Sequence, residues 1–250
     1  MNTRSYCPVG TLFKREWSAY FNAPIAYVFL VIFLVLAAFF TFAVARFYEN
    51  GQADLRLFFF WHPWLYLILV PAATMRLWAE EQRSGTIELL LTLSVKPQQA
   101  ILAKFLAAWL FMALALALTF PMVLTAAYLG SPDPGIVFSG YLASLLLAGA
   151  YAAVGLFASA LTRNQVVSFI VGVVIGLFLL LAGFPPVTDL LARWAPTWLV
   201  DGVAGFSFMP HFDTMQRGLI GLDALVYFAS VIVLMLAATH ALLTRTLHRA

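Results

Sequence analysis

Six apolar runs, each followed by a polar break, dictate what this chain can become. They are Ile25–Phe47, Leu57–Leu77, Phe105–Leu129, Ile136–Leu161, Val166–Gly183 and Leu222–Leu243. As helices rising about 1.5 Å per residue, they are long enough to cross a hydrocarbon core about 30 Å thick. Folded in water, the same residues would leave large apolar areas uncovered. Only 10% of the 250 residues are charged, against about 25% in a soluble domain. The prediction is an all-α, polytopic membrane protein with six transmembrane helices, forming a single transmembrane domain over 1–250. Its parts are a tail and amphipathic helix (1–24), five spans (25–183), an external segment (184–221), and a last span with its tail (222–250).

Local signals refine this outline. Residues 1–9 are expected to be disordered, and the opening does not read as a cleaved signal, because the first apolar run starts late and has no small-residue cleavage site behind it. Thr11–Asn22 places Leu12, Trp17 and Phe21 on one side of a helix and Lys14, Arg15 and Glu16 on the other, the pattern of an interfacial helix. An extended start to the first span is the plainer alternative. Asn22 and Pro24 end the helix, and Pro24 suits the first position of the next. Pro71 and Pro121 predict interior kinks, the first as a bend or an unwound turn around Ile68–Pro71. His62 is expected to make an interfacial hydrogen bond, and Trp61 and Trp64 suit an aromatic belt. Gly149 and Gly155 lie in a small-residue-rich fourth span, and Gly172 and Gly176 form a GxxxG face, both signs of close helix packing. Residues 184–221 are rich in Pro, Trp, Phe and Asp and predict short amphipathic helices in the outer interface. Trp194, Trp198, Asp201 and Asp213 are the candidate residues there.

Charge sets the orientation. With six spans, ten Lys and Arg (Arg4, Lys14, Arg15, Arg76, Arg83, Lys96, Lys104, Arg163, Arg245 and Arg249) lie on the side of the termini. Four (Arg46, Arg56, Arg193 and Arg217) lie opposite. The positive-inside rule then places both termini in the cytoplasm. The same distribution, between apolar spans, argues against a nucleic-acid partner.

One segment stands apart: Trp78–Gln99, WAEEQRSGTIELLLTLSVKPQQ. It is polar enough to work in water, broken by Gly85 and closed by Pro97. Thr86 suits an N-cap, and Leu89, Leu90 and Leu93 form an apolar knob too short to span anything. The chemistry-bearing motifs are missing. There is no phosphate-binding GxxxxGK[ST], HExxH, GxSxG or CxxC, and Cys7 is the lone cysteine. Span middles carry almost no charge, which disfavours an ion-coupled carrier. An intramembrane enzyme would need a catalytic pair, and none is found. The chain therefore reads as the membrane half of a two-component machine whose energy comes from elsewhere.

The stretch EEQRSGTIELLLTLSVKPQQAILAKFLA resembles the signature region of ABC-2 family exporter permeases, and the chain is similar in particular to the gliding-type and nitrous-oxide-accessory permeases. The resemblance implies that Thr11–Asn22 is a connecting elbow helix and Gly85–Val95 a coupling helix docked in a cytoplasmic ATPase dimer. Glu80, Glu81 and Arg83 would be rim or hinge contacts around Gly85 and Thr86, Glu88 an ion-pair candidate, and Leu89–Leu90 a buried knob. Phe184–Gly221 would be an external re-entrant hairpin. A second permease subunit, identical or a close paralogue, would complete the path. ATP and Mg would sit on the partner ATPase, with no cofactor on this chain, in a bacterial inner membrane. The alternative is a mechanotransmitter or membrane anchor acting on an external or periplasmic protein without moving cargo.

Overall fold

The computed structural model describes residues 8–22, 24–47, 54–86 and 96–247. All described secondary structure is helical. In chain order the elements are α1 (Pro8–Asn22), α2 (Pro24–Phe39), α3 (Arg56–Phe60), α4 (His62–Thr74) and α5 (Arg76–Ser84). Then come α6 (Pro97–Ala117), α7 (Pro121–Leu129), α8 (Pro134–Leu161) and α9 (Gln165–Leu181). The last four are α10 (Pro185–Ala192), α11 (Thr197–Ala204), α12 (Phe208–Gln216) and α13 (Leu222–Leu247).

Four of these are long and apolar enough to cross a membrane: α2 with its following turn, α6 continued by α7, α8, and α13. A fifth is obtained if α9 and α10, bent by 73° at their junction, are one span. The chain is thus an all-α, multi-pass membrane protein.

Helix α8 is the hub. The buried share of its apolar window is 78%, against 11% for α13 and 22% for α2. Its sequence explains the difference: small residues let neighbouring backbones come close where lipid gives no hydrophobic drive for association. A Cβ on Gly155 would lie 2.0 Å from Thr74 Oγ1, and one on Gly149 would lie 2.9 Å from Trp109 Nε1. Polar groups add fastening. Tyr66 Oη and Ser144 Oγ are 2.8 Å apart, the Tyr151 hydroxyl donates to the Pro63 carbonyl at 3.2 Å, and Trp109 Nε1–H donates to the Leu145 carbonyl at 2.8 Å.

Helix starts follow their local chemistry. Asp133 Oδ1 accepts from Gly135 N–H at 2.7 Å with Pro134 in the first position of α8, and Asn164 Oδ1 accepts from Val166 N–H at 2.9 Å at the start of α9. α1 ends at Asn22 and α2 begins at Pro24, as predicted, although α1 starts earlier than predicted, at Pro8. The third apolar run breaks at Leu118–Phe120, just before Pro121.

Three expectations need correction. The helix is not unwound at Ile68–Pro71: α4 runs through Pro71, and the interruption falls at Met75. His62 is fully buried among Phe33, Phe58, Phe59 and Tyr66, with its Nδ1 3.3 Å from the Phe59 carbonyl, so it is a core residue and not an interfacial one. Glu16 is not on the exposed side of α1 but buried beneath it. One feature was not foreseen: α2 closes in a π turn at Phe40–Val44, where Ala45 N–H reaches the Phe40 carbonyl at 2.8 Å and Thr41 Oγ1 bonds the Ala37 carbonyl at 2.7 Å. Residues 1–7 lie outside the described residues.

Candidate functional site

The polar segment singled out by the sequence begins in α5, and α5 is gripped from three sides. Met75 separates it from α4 because a hydroxyl enters the backbone ladder there. Ser159 Oγ on α8 accepts from Trp78 N–H at 2.9 Å and Ala79 N–H at 3.0 Å, and donates to the Met75 carbonyl at 2.8 Å. It stands between an amide and a carbonyl that a continuous helix would join directly, a recognised cause of a helix break. One turn further, Gln82 Nε2 donates to the Ala160 carbonyl at 2.8 Å.

The third grip is ionic. Lys104 on α6 is only 3% exposed, and its Nζ lies 2.9 Å from Glu81 Oε1 and 3.2 Å from Glu16 Oε1. Arg15 Nη2 closes the ring, 2.6 Å from Glu16 Oε1 and 3.3 Å from Glu81 Oε1. Lys104 Nζ also lies 5.0 Å from the centroid of the buried Trp78 ring, a cation–π distance. Two cations and two carboxylates from α1, α5 and α6 thus meet in a site where Lys104 and Glu16 are buried and Arg15 is half exposed. Burial pushes the Glu16 carboxyl up, but Lys104 and Arg15 together outweigh it and hold its pKa below the usual carboxylate value.

The sequence contains a signal for this cluster. Glu16 stands four residues after Leu12 and four before Tyr20, on the stripe that packs inward. Lys104 stands in the buried series Ala100, Ile101, Ala103, Lys104, Ala107, Ala108 and Phe111. At helical spacing, a charge on an apolar stripe must find a partner there. Ser159, by contrast, lies among many small residues and gives no such sign.

The candidate docking residues divide. Glu81 joins the cluster; Glu80 and Arg83 are solvent-facing. Gly85 ends α5 in the left-handed region at φ 72°, a conformation that favours glycine. Thr86 Oγ1 lies 2.8 Å from Ser84 Oγ. Glu88, Leu89 and Leu90 lie outside the described residues. The packing glycines meet this chain's own helices: Gly172 faces Pro71, and Gly176 faces Tyr151 and Leu67. At the far end, Trp194 and Trp198 are 88% and 72% exposed, Asp201 is exposed, and Asp213 pairs with Arg217. Among the described residues no group of three or more His, Cys, Asp or Glu is placed to hold a metal ion.

The molecule is a multi-pass helical membrane protein in which α5, where the polar segment begins, is bonded to α1, α6 and α8. Residues 64–197 match the family described as ABC-2 family transporter protein, a stretch running from within α4 to the first residue of α11. That is more than half of the chain, which belongs to this family. No curated protein matches the chain.

Proposed function

We propose that the chain is the membrane-spanning permease subunit of an ATP-driven exporter, driven by a separate cytoplasmic ATPase dimer that binds ATP and Mg. In this reading six spans cross a bacterial inner membrane with both termini cytoplasmic: α2, the broken α3–α5, α6–α7, α8, α9 and α13. α1 is the elbow helix, Gly85–Val95 the coupling helix, and α10–α12 the external re-entrant segment. A second permease subunit, identical or paralogous, provides the other wall of the path. Within the family we read the chain as similar to the gliding-type and nitrous-oxide-accessory permeases.

The observation carrying this reading is the triple attachment of α5. A docking segment transmits force only if the helix leading into it is fixed to the bundle, and α5 is bound to α8 through Ser159 and Gln82 and to α1 and α6 through Glu81.

A second reading, mechanotransmission to an external protein, draws on α10 and α11. Neither buries a residue, and Trp194, just beyond the end of α10, and Trp198, in α11, are both exposed. Alternating access should cross-link the outer ends differently with and without trapped ATPase, whereas mechanotransmission should additionally need an external protein.

Photo-cross-linking from Ile87 and Leu90 tests the docking. A band with a cytoplasmic ATPase is expected, and Leu89→Asp should abolish ATPase co-purification while leaving membrane insertion intact. Unchanged co-purification removes the docking role of Leu89, and absence of any cross-linked ATPase removes that of the segment.

A further inference from the structure

We propose that the α1 end of the bundle holds one anionic phospholipid, its phosphate at Arg76 and one acyl chain between α2 and α4. Two cavities meet there. A polar cleft of about 380 Å³ lies between α1 and α5, bordered by the Glu16–Lys104–Glu81 cluster. An apolar cavity of about 190 Å³ lies beneath it, walled by Phe29, Leu69, Ala72 and Phe111. Tyr20 and Arg76 line both. The apolar cavity opens towards the bilayer, because Val28 and Ile32 on its wall are 55% and 41% exposed on the membrane-facing side of α2. A polar chamber and an apolar slot that share Tyr20 and Arg76 as lining, the slot with exposed apolar side chains on its wall, suit the head and one chain of a phospholipid.

Arg76 supplies the charge complementarity. The cleft's other two cations, Arg15 and Lys104, are each engaged by both Glu16 and Glu81. Arg76 has no such partner among the described residues. Its guanidinium lies 5.2 Å from the Tyr20 ring centroid and donates one long hydrogen bond, 3.4 Å, to the Ala19 carbonyl. Most of its five N–H donors are therefore free for a phosphate, which the planar fork matches well. Glu80 also lines the cleft but is solvent-exposed and outside ion-pair distance of Arg76. The neutral polar side chains lining the apolar cavity are Tyr20, whose hydroxyl donates to the Ala73 carbonyl, and Gln165, whose amide could meet the ester carbonyls of a lipid. A lipid bound this way joins α1 to α2 and α4 on the side that Lys104 does not reach.

Native mass spectrometry of delipidated protein in detergent tests the proposal without any ATPase. Titration with phosphatidylglycerol should give one tight adduct per chain, at least tenfold tighter than with phosphatidylcholine. Arg76→Gln should reduce phosphatidylglycerol to the phosphatidylcholine level, Arg76→Lys should retain part of the preference, and Ala72→Phe, which fills the acyl slot, should weaken both lipids. sn-Glycerol 3-phosphate should not compete; effective competition would indicate a free-anion site and overturn the lipid. Equal binding of the two lipids by the unaltered protein, or full phosphatidylglycerol binding by Arg76→Gln, also overturns it. If Arg76→Gln loses α1 and unfolds, Arg76→Lys and Ala72→Phe decide: unchanged binding in both refutes the site.

Discussion

The two ends of the bundle are held by opposite kinds of contact. At the α1 end, three helices converge on buried charge, with Lys104 shared by Glu16 and Glu81. At the far end, α12 wedges Phe208, Phe212 and Met215 into the bundle, with Phe208 stacked on Phe228 and edge-on to Tyr151 and Tyr227. There the polar contacts are local. Ser207 caps α12 and bonds the Leu180 carbonyl, and the Tyr227 hydroxyl donates to the Phe206 carbonyl. The difference concerns directionality. An apolar wedge tolerates sliding, whereas an ion cluster has one arrangement in which all its charges are satisfied. The rigid connection therefore lies at α5, where the polar segment begins, and the adaptable one at α12.

Removing one charge should break this contrast most sharply. Lys104→Met leaves two carboxylates sharing one half-exposed cation, Arg15, in a site where Glu16 and Glu81 are 11% and 18% exposed. Stripping a buried ion pair of one partner costs about 3–5 kcal/mol, and the partial exposure of Glu81 places this case near the lower bound. The expected result is a large drop in melting temperature in detergent and release of α1 to protease. Adding Glu16→Gln to Lys104→Met should restore part of the loss, because one stranded charge is then gone. If Lys104→Met melts like the unaltered protein, the cluster is not a fastening.

The matching change at the far end should do less. Phe208 is fully buried, and truncating a buried Phe in a soluble core costs about 3–5 kcal/mol. Here the loosened helix finds lipid instead of water, so the transfer part of that penalty shrinks, leaving about 2 kcal/mol of lost packing. Phe208→Ala should lower the melting temperature moderately and leave ATPase co-purification intact, whereas Lys104→Met should weaken it. Equal losses of co-purification would mean that the two ends are one mechanical unit.

The long elements were legible because their determinants are local. Asp133-Pro134 and Asn164 start helices by satisfying free backbone amides, Gly85 stops α5 through a left-handed backbone, and apolar length marks the spans. The break at Met75 was not legible, because its cause lies on another helix. Pro71 is the residue that sequence rules point to, yet close contacts at Gly172 and between Gly155 and Thr74 surround it, and α4 stays helical. Ser159 opens the ladder instead, more than eighty residues away in sequence. The cluster was half legible: Glu16 and Lys104 sit on apolar stripes, but pairing them required knowing that α1 lies across α6 and α5. Reading Lys14, Arg15 and Glu16 as one solvated face failed because α1 turns its third charge inward.

Acid should separate the two ends by the smallest but most selective effect. At the far end, burial lowers the His211 pKa, with Asp223, 4.0 Å away, opposing that shift. An unfolded chain therefore binds this proton more readily than the folded one, so stability at α12 is complete above the free value of 6.5 and declines as pH falls below it. At the α1 end, the Glu16 pKa is also lowered, but from 4.5, so its contribution is complete above that value and is lost only as pH falls further. A polarity-sensitive fluorophore on a single cysteine, placed at Ser18 or at Phe206 in a Cys7→Ser background, should report the far end loosening first and α1 only in stronger acid. Glu16→Gln should remove the second step and His211→Gln the first. A single transition seen by both probes would show that the ion cluster and the aromatic wedge yield together, and the contrast between them would then be one of composition without mechanical consequence.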